Sequence, residues 1–177
     1  MMIRRKKGFS LIEITVVIFL FSIVLAALFS VLATARVSSG SGGSNVTVQQ
    51  EARKGLNAMV KELRQASLVT ISGVPADGID YNSITFNIPT AITASGTTWS
   101  SNIQYVKGGL ENSQLIRVQD GNQRVIANNI SSLLFNRNTS APDVLNVAIS
   151  VQKNTFPGFS AIQSTISLNS EVKIRND

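Results

Sequence analysis

Few arrangements are open to residues 11–35. This run holds one charge, Glu13, and otherwise only the hydroxyls of Thr15, Ser22, Ser30 and Thr34 as polar groups. As a helix rising about 1.5 Å per residue it measures roughly 37 Å, enough to cross a hydrocarbon core of about 30 Å with some tilt. In lipid the backbone has to satisfy its own hydrogen bonds, so the run has to be helical. Arg4, Arg5, Lys6 and Lys7 stand directly before it, followed by Gly8 and Phe9. That basic cluster holds the N-terminus in the cytoplasm and sends the rest of the chain outside.

Glu13 is out of place in such a segment. A carboxylate inside a membrane helix costs several kcal/mol unless it is paired or reaches the interface, and no Lys or Arg lies within the run. A free α-amino group supplies the missing charge if the chain is cut just before Phe9. Gly8 offers the smallest residue on the near side of that cut. Cleavage then removes the leader and leaves an amine four residues from Glu13, so that the amine of one subunit pairs with the Glu of its neighbour.

With those residues in view, Lys7-Gly8-Phe9-Ser10-Leu11-Ile12-Glu13 resembles the class III signal of type IV pilins and type II secretion pseudopilins. The resemblance implies a prepilin peptidase that cuts after Gly8 and methylates Phe9. It also implies that Glu13 is the acidic fifth residue that guides filament assembly. Two other readings stay open. Ala33-Thr34-Ala35 fits the A-x-A site of a secretory signal peptide, although the run is long for one and Glu13 is foreign to it. An uncleaved signal anchor is the other.

Composition narrows the function classes. The chain has 16 Lys+Arg against 10 Asp+Glu, for +6. Removal of the four leader cations leaves 12 against 10, a net of +2, so charge does not call for a nucleic-acid partner. With no Cys and no His, disulfides, thiolate or imidazole metal sites and the common catalytic triads cannot be built. No enzyme, cofactor, metal or small-molecule substrate is expected. Asp77-Gly78-Ile79-Asp80 places two carboxylates in a turn, but calcium wants six to eight oxygens and no further acid cluster is near; a solvated turn is the preferred reading.

Along the chain, the boundaries are a leader at 1–8, a stem helix at 9–36 with Arg36 as an interfacial anchor, a Gly/Ser linker at 37–45 that breaks the helix, and a head at 46–177. Helical spacing resumes over 46–67, with Leu56, Met59, Val60 and Leu63 on the buried face and Glu51, Arg53, Lys54, Lys61 and Arg64 on the solvated one. Strands are expected at 68–72, 83–88, 101–106, 114–118, 123–127, 130–136, 144–152 and 162–174. Pro75, Pro89, Pro142 and Pro157 fall between them, and Gly108-Gly109 and Asp120-Gly121-Asn122 read as hairpin turns. Residues 89–101, with Trp99, read as a surface loop. The fold class is α+β: a long apolar N-terminal helix, then an amphipathic helix packed on a mainly antiparallel sheet.

Weaker stretches narrow the resemblance. Glu62-Leu63-Arg64-Gln65-Ala66, the pair formed by Leu110 and Leu115-Ile116-Arg117, the run Ile126 to Phe135 and the ending Val172-Lys173-Ile174-Arg175-Asn176 are similar to J-type minor pseudopilins and PilW-type minor pilins. That group implies a pilin-like head, and it implies placement near the tip of a type II secretion pseudopilus. Its partners are then the prepilin peptidase, other minor and major (pseudo)pilins, an inner-membrane assembly platform and the bilayer. A minor type IV pilin, serving pilus biogenesis, adhesion or DNA uptake, is the alternative within the family. A secreted β-rich binding domain cut after Ala35 is the alternative outside it.

Overall fold

The structure is a computed structural model that describes residues 10–94, 96–156 and 159–174. Its contacts divide the chain between Gly42 and Gly43 into two compact units. In the first unit the span Leu11–Arg36 is one helix, long and apolar enough to cross a membrane, with none of it buried. Three of its four hydroxyls are satisfied by the helix itself. Thr15 donates to the Ile12 carbonyl at 2.8 Å, Ser22 to Ile18 at 2.8 Å and Thr34 to Ser30 at 3.0 Å. Such back-bonding lets a hydroxyl sit in an apolar segment without an orphaned polar atom.

The helix, α1 (Leu11–Leu63), does not stop at the serines and glycines. Residues 37–45, whose Gly/Ser content leaves a helix and a linker both open, are helical, and the division into two units falls within them. Glycine costs about 1 kcal/mol and serine about half of that relative to alanine in a helix. Those penalties are charged to turns that lie between an apolar run and a stretch anchored on a sheet. Propagation from existing turns adds one hydrogen bond per residue without a new nucleation step. Thr47 adds a further bond, donating from Oγ1 to the Gly43 carbonyl at 2.9 Å.

The second unit is a sheet structure on the last five turns of α1. β1 (Ser83–Phe86), β4 (Ile103–Gly108), β5 (Gln114–Gln119) and β6 (Asn122–Ala127) form one antiparallel sheet in the order β1-β4-β5-β6. β7 (Ile130–Asn138), β8 (Ala141–Phe156) and β9 (Phe159–Lys173) form a second, in sequence order. β2 (Pro89–Thr93) and β3 (Gly96–Trp99) make a separate exposed hairpin. The α+β class with a mainly antiparallel head is therefore present.

Local expectations are met unevenly. Asp120 and Gly121 both take positive φ, at 53° and 74°, as the two-residue turn between β5 and β6 requires. Gly108-Gly109 is no tight hairpin: residues 109–113 form a longer connection that contains the 3₁₀ turn Leu110–Asn112. Residues 68–72 are not a strand but a 3₁₀ turn, Leu68–Thr70, and one bridge, Ser72 to Thr85. Residues 89–101 hold the β2–β3 hairpin rather than a loop, with Thr98 opposite Ala91, Thr97 opposite Ile92 and Thr93 opposite Gly96 although most of it is exposed. Pro89 and Pro142 lie within strands, at the first and second positions of β2 and β8; Pro157 lies outside the described residues.

The face that α1 turns to the sheets is also displaced from expectation. Ser44, Val48, Ala52, Gly55, Met59 and Leu63 are buried, whereas Leu56 and Val60 are half-buried at its margin. Small side chains in the centre explain the rotation. A Cβ on Gly55 would lie 2.9 Å from Ile149 Cδ1, 3.1 Å from Leu115 Cδ2 and 3.3 Å from Ala127 Cβ. Gly55 therefore marks a close approach of the helix to β8 of one sheet and to β5 and β6 of the other. The helix closes its end with Gln65 N–H on the Glu62 carbonyl and Ala66 N–H on Leu63, at 3.0 and 3.1 Å, short of the expected 67.

Candidate functional site

The N-terminal segment is the first candidate. Helix α1 begins at Leu11, and the Ser10 carbonyl accepts the Glu13 and Ile14 N–H groups at 3.0 and 3.2 Å. Glu13 thus stands in the first turn, where unpaired N–H groups carry the positive end of the helix dipole. A carboxylate gains about 0.3–1 kcal/mol there. This helps Glu13 but falls short of the several kcal/mol that lipid burial of a charge costs. The side chain is exposed and, among the described residues, is in no ion pair. Gly8, Phe9 and the cations Arg4, Arg5, Lys6 and Lys7 lie outside the described residues. Arg36 is exposed at the far end of the apolar span.

In the head, the Asp77–Asp80 turn uses its carboxylates internally. Asp77 accepts the Tyr81 hydroxyl at 2.5 Å and the Ile79 N–H at 2.9 Å, and these bonds, the tyrosine's first, hold its pKa below the ordinary carboxylate value. The same bond raises the pKa of Tyr81. Asp80 accepts from Asn136, whose amide also donates to the Gly78 carbonyl at 2.7 Å. Tyr81 bridges to Phe135, fastening the turn to β7. Among the described residues no group of three or more potential metal ligands forms.

Two interactions that spacing alone does not reveal tie α1 to the sheets. The Glu62 carboxylate accepts Arg117 Nε at 3.0 and 2.9 Å and the Tyr105 hydroxyl at 3.0 Å. Burial first, then the Glu62 charge, pushes the Tyr105 pKa far up. Tyr105 also stacks on Phe86, with ring centroids 6.1 Å apart. Glu51, assigned above to the solvated face, instead accepts the Asn128 N–H at 2.6 Å. The sequence carries one faint signal for this pattern: Glu51 and Glu62 are the only carboxylates on the head portion of the helix.

Comparison with known proteins bears on the N-terminal segment. Residues 3–29 match the family described as the prokaryotic N-terminal methylation motif, a span that contains the basic cluster, Gly8, Phe9 and Glu13. No curated protein and no solved structure matches the chain. The motif supports the type IV pilin-like family and its processing: prepilin peptidase acting on the N-terminus, N-methylation and assembly with other pilins. Together with the apolar span Leu11–Arg36, it supports a single-pass membrane anchor.

Proposed function

We propose that the chain is a minor pseudopilin of a type II secretion pseudopilus, cut after Gly8 and methylated on Phe9. It is held in the inner membrane with its head outside the cytoplasm until it joins the filament near the tip, where it primes assembly and supports protein export. Glu13 pairs with the Phe9 amine of the adjacent subunit and sets the axial stagger. The head is a non-enzymatic assembly surface. The observation that carries this reading is the methylation motif over residues 3–29 running straight into a helix whose apolar side chains are uncovered. The likeness of residues 62–66, 126–135 and 172–176 to the group of J-type and PilW-type subunits supports a minor subunit in either machine. A minor type IV pilin is the second reading, since PilW-type subunits share those stretches.

Intact mass and N-terminal sequencing of the protein from its native membrane test the processing. A chain that starts at methylated Phe9 is expected. A start at Arg36 or at Met1 overturns the filament reading. Deletion of the gene then separates the machines: a secretion defect with normal piliation is expected, and lost piliation with normal secretion selects the type IV pilus.

A further inference from the structure

Both carboxylates on the head portion of α1 are turned inward, Glu51 onto Asn128 and Glu62 onto Arg117 and Tyr105. The cations of the same stretch, Arg53, Lys54, Lys61 and Arg64, are exposed. On the sheet, Arg124 of β6 sits directly across the ladder from Arg117, and like charges in that position oppose each other. Among the described residues Lys54, Lys61 and Arg124 are in no ion pair. Of the 12 Lys+Arg and 10 Asp+Glu beyond the leader, four cations (Lys54, Lys61, Arg117 and Arg124) and one acid (Glu62) line a single cleft, and the rest number 8 against 9. The positive excess beyond the leader is therefore concentrated around that cleft.

Lys54, Lys61, Arg117 and Arg124 come together around an open cleft of about 560 Å³ between α1 and β6. Its one carboxylate, Glu62, is already held by Arg117 at 2.9 Å. Ala58, Ile88 and Val125 give the cleft an apolar part, and Val125 is 45% exposed. β6 is the outer strand of its sheet, so among the described residues one side of its backbone has no strand neighbour.

We propose that this cleft docks an acidic, extended peptide segment of a partner protein. The partner's carboxylates face Lys54, Lys61 and Arg124, and its apolar side chains cover Val125. The uncompensated charge selects an anion. The apolar part and the open strand edge select a peptide among anions, because an added strand gains main-chain hydrogen bonds along β6. The same lining argues against a nucleic acid. Single strands bind on exposed aromatic faces, and the one ring in the cleft, Tyr105, is 1% exposed. The site does not depend on how the N-terminus is processed.

Fluorescence anisotropy on the full chain in detergent micelles tests this. The probes are a labelled ten-residue peptide alternating Glu and Val, its Gln-for-Glu counterpart and a labelled ten-nucleotide single strand. The Glu peptide is expected to bind at least about tenfold tighter than the Gln peptide. Its affinity should fall as salt shortens the Debye length from about 30 Å at 0.01 M to about 8 Å at 0.15 M. Reversal of the cleft by Lys54→Glu, Lys61→Glu and Arg124→Glu together should weaken it by more than about tenfold. The matched control Lys107→Glu, Lys153→Glu and Lys173→Glu should leave it within about twofold. Should the cleft reversal unfold the head, the milder pair Lys54→Gln and Lys61→Gln is expected to weaken binding about threefold. No binding of the Glu peptide, equal binding of the Gln peptide, undiminished binding by the cleft variants, or tighter binding of the oligonucleotide each overturns the proposal.

Discussion

Between Leu11 and Arg36, helix α1 leaves sixteen large apolar side chains exposed, from 37% to 80%. Between Ser44 and Leu63 the same helix buries a narrow stripe in which Ala52 and Gly55 hold the centre. Covering a large apolar side chain contributes roughly 1.5–3 kcal/mol, so the first half forgoes tens of kcal/mol unless lipid or neighbouring helices supply the cover. The second half is covered by its own sheets, and there size is limited by how closely the backbone approaches them. One backbone conformation thus serves two solvents. What separates the halves is whether apolar bulk is arrayed all round or confined to one thin, small-residue face.

Substitutions in each half sharpen the contrast. The largest effect is expected from Glu13→Ala: incorporation into filaments is lost, since breaking a buried charge pair costs about 3–5 kcal/mol, while urea unfolding of the head is unchanged. Normal incorporation of this variant, measured in sheared filament fractions, would remove the pairing argument. Gly55→Leu comes next. It forces a side chain into the contacts with Ile149 and Leu115 and should destabilise the head by about 1–3 kcal/mol in denaturant unfolding, with membrane insertion unaffected.

Tyr105 gives a smaller, pH-resolved effect. Its folded pKa is raised above the ordinary 10.0, by burial first and by Glu62 second. The folded head therefore keeps the phenol protonated where the unfolded chain releases the proton. Stability from this group is complete below about pH 10 and declines as pH rises from there towards the folded value. Tyr105→Phe should flatten that alkaline decline and cost about 1 kcal/mol at neutral pH for the lost hydrogen bond; an unchanged alkaline slope would contradict the assignment. The smallest change is Gly43→Ala. Among the described residues nothing lies within 4 Å of the added Cβ, so thermal unfolding should show a gain of up to about 1 kcal/mol, whereas a loss would mean the helix does not persist there.

The parts of this fold legible in the sequence are those where one local signal dominates. The apolar run, the Asp120-Gly121 turn and the strands at 114–119, 122–127 and 130–138 follow from composition or from period-two patterning. The continuity of α1 through Ser38–Ser44 was not legible, because intrinsic propensity speaks against it and only the flanks speak for it. The buried face is legible in part: Met59 and Leu63 are buried as their spacing predicts, whereas Leu56 and Val60 lie half-buried at its margin because the contacts at Gly55 turn a neighbouring face to the sheets. The inward use of Glu51 and Glu62 depends on Asn128, Tyr105 and Arg117, which lie 43 to 77 positions away in the chain. At the N-terminus the reverse holds: the motif over residues 3–29 is a sequence signal, and the geometry adds chiefly the position of Glu13 in the first helical turn.

The helical turns over residues 37–44 also set a mechanical property. They hold three glycines, Gly40, Gly42 and Gly43, each about 1 kcal/mol less favourable than alanine, so under tension they are the first part of α1 expected to yield. Residues that rise about 1.5 Å each in the helix reach about 3.3 Å each when extended. Unwinding those eight would lengthen the chain by roughly 14 Å while the anchor and the head each stay intact. A chain built this way can lend slack between its two units and recover it by rewinding.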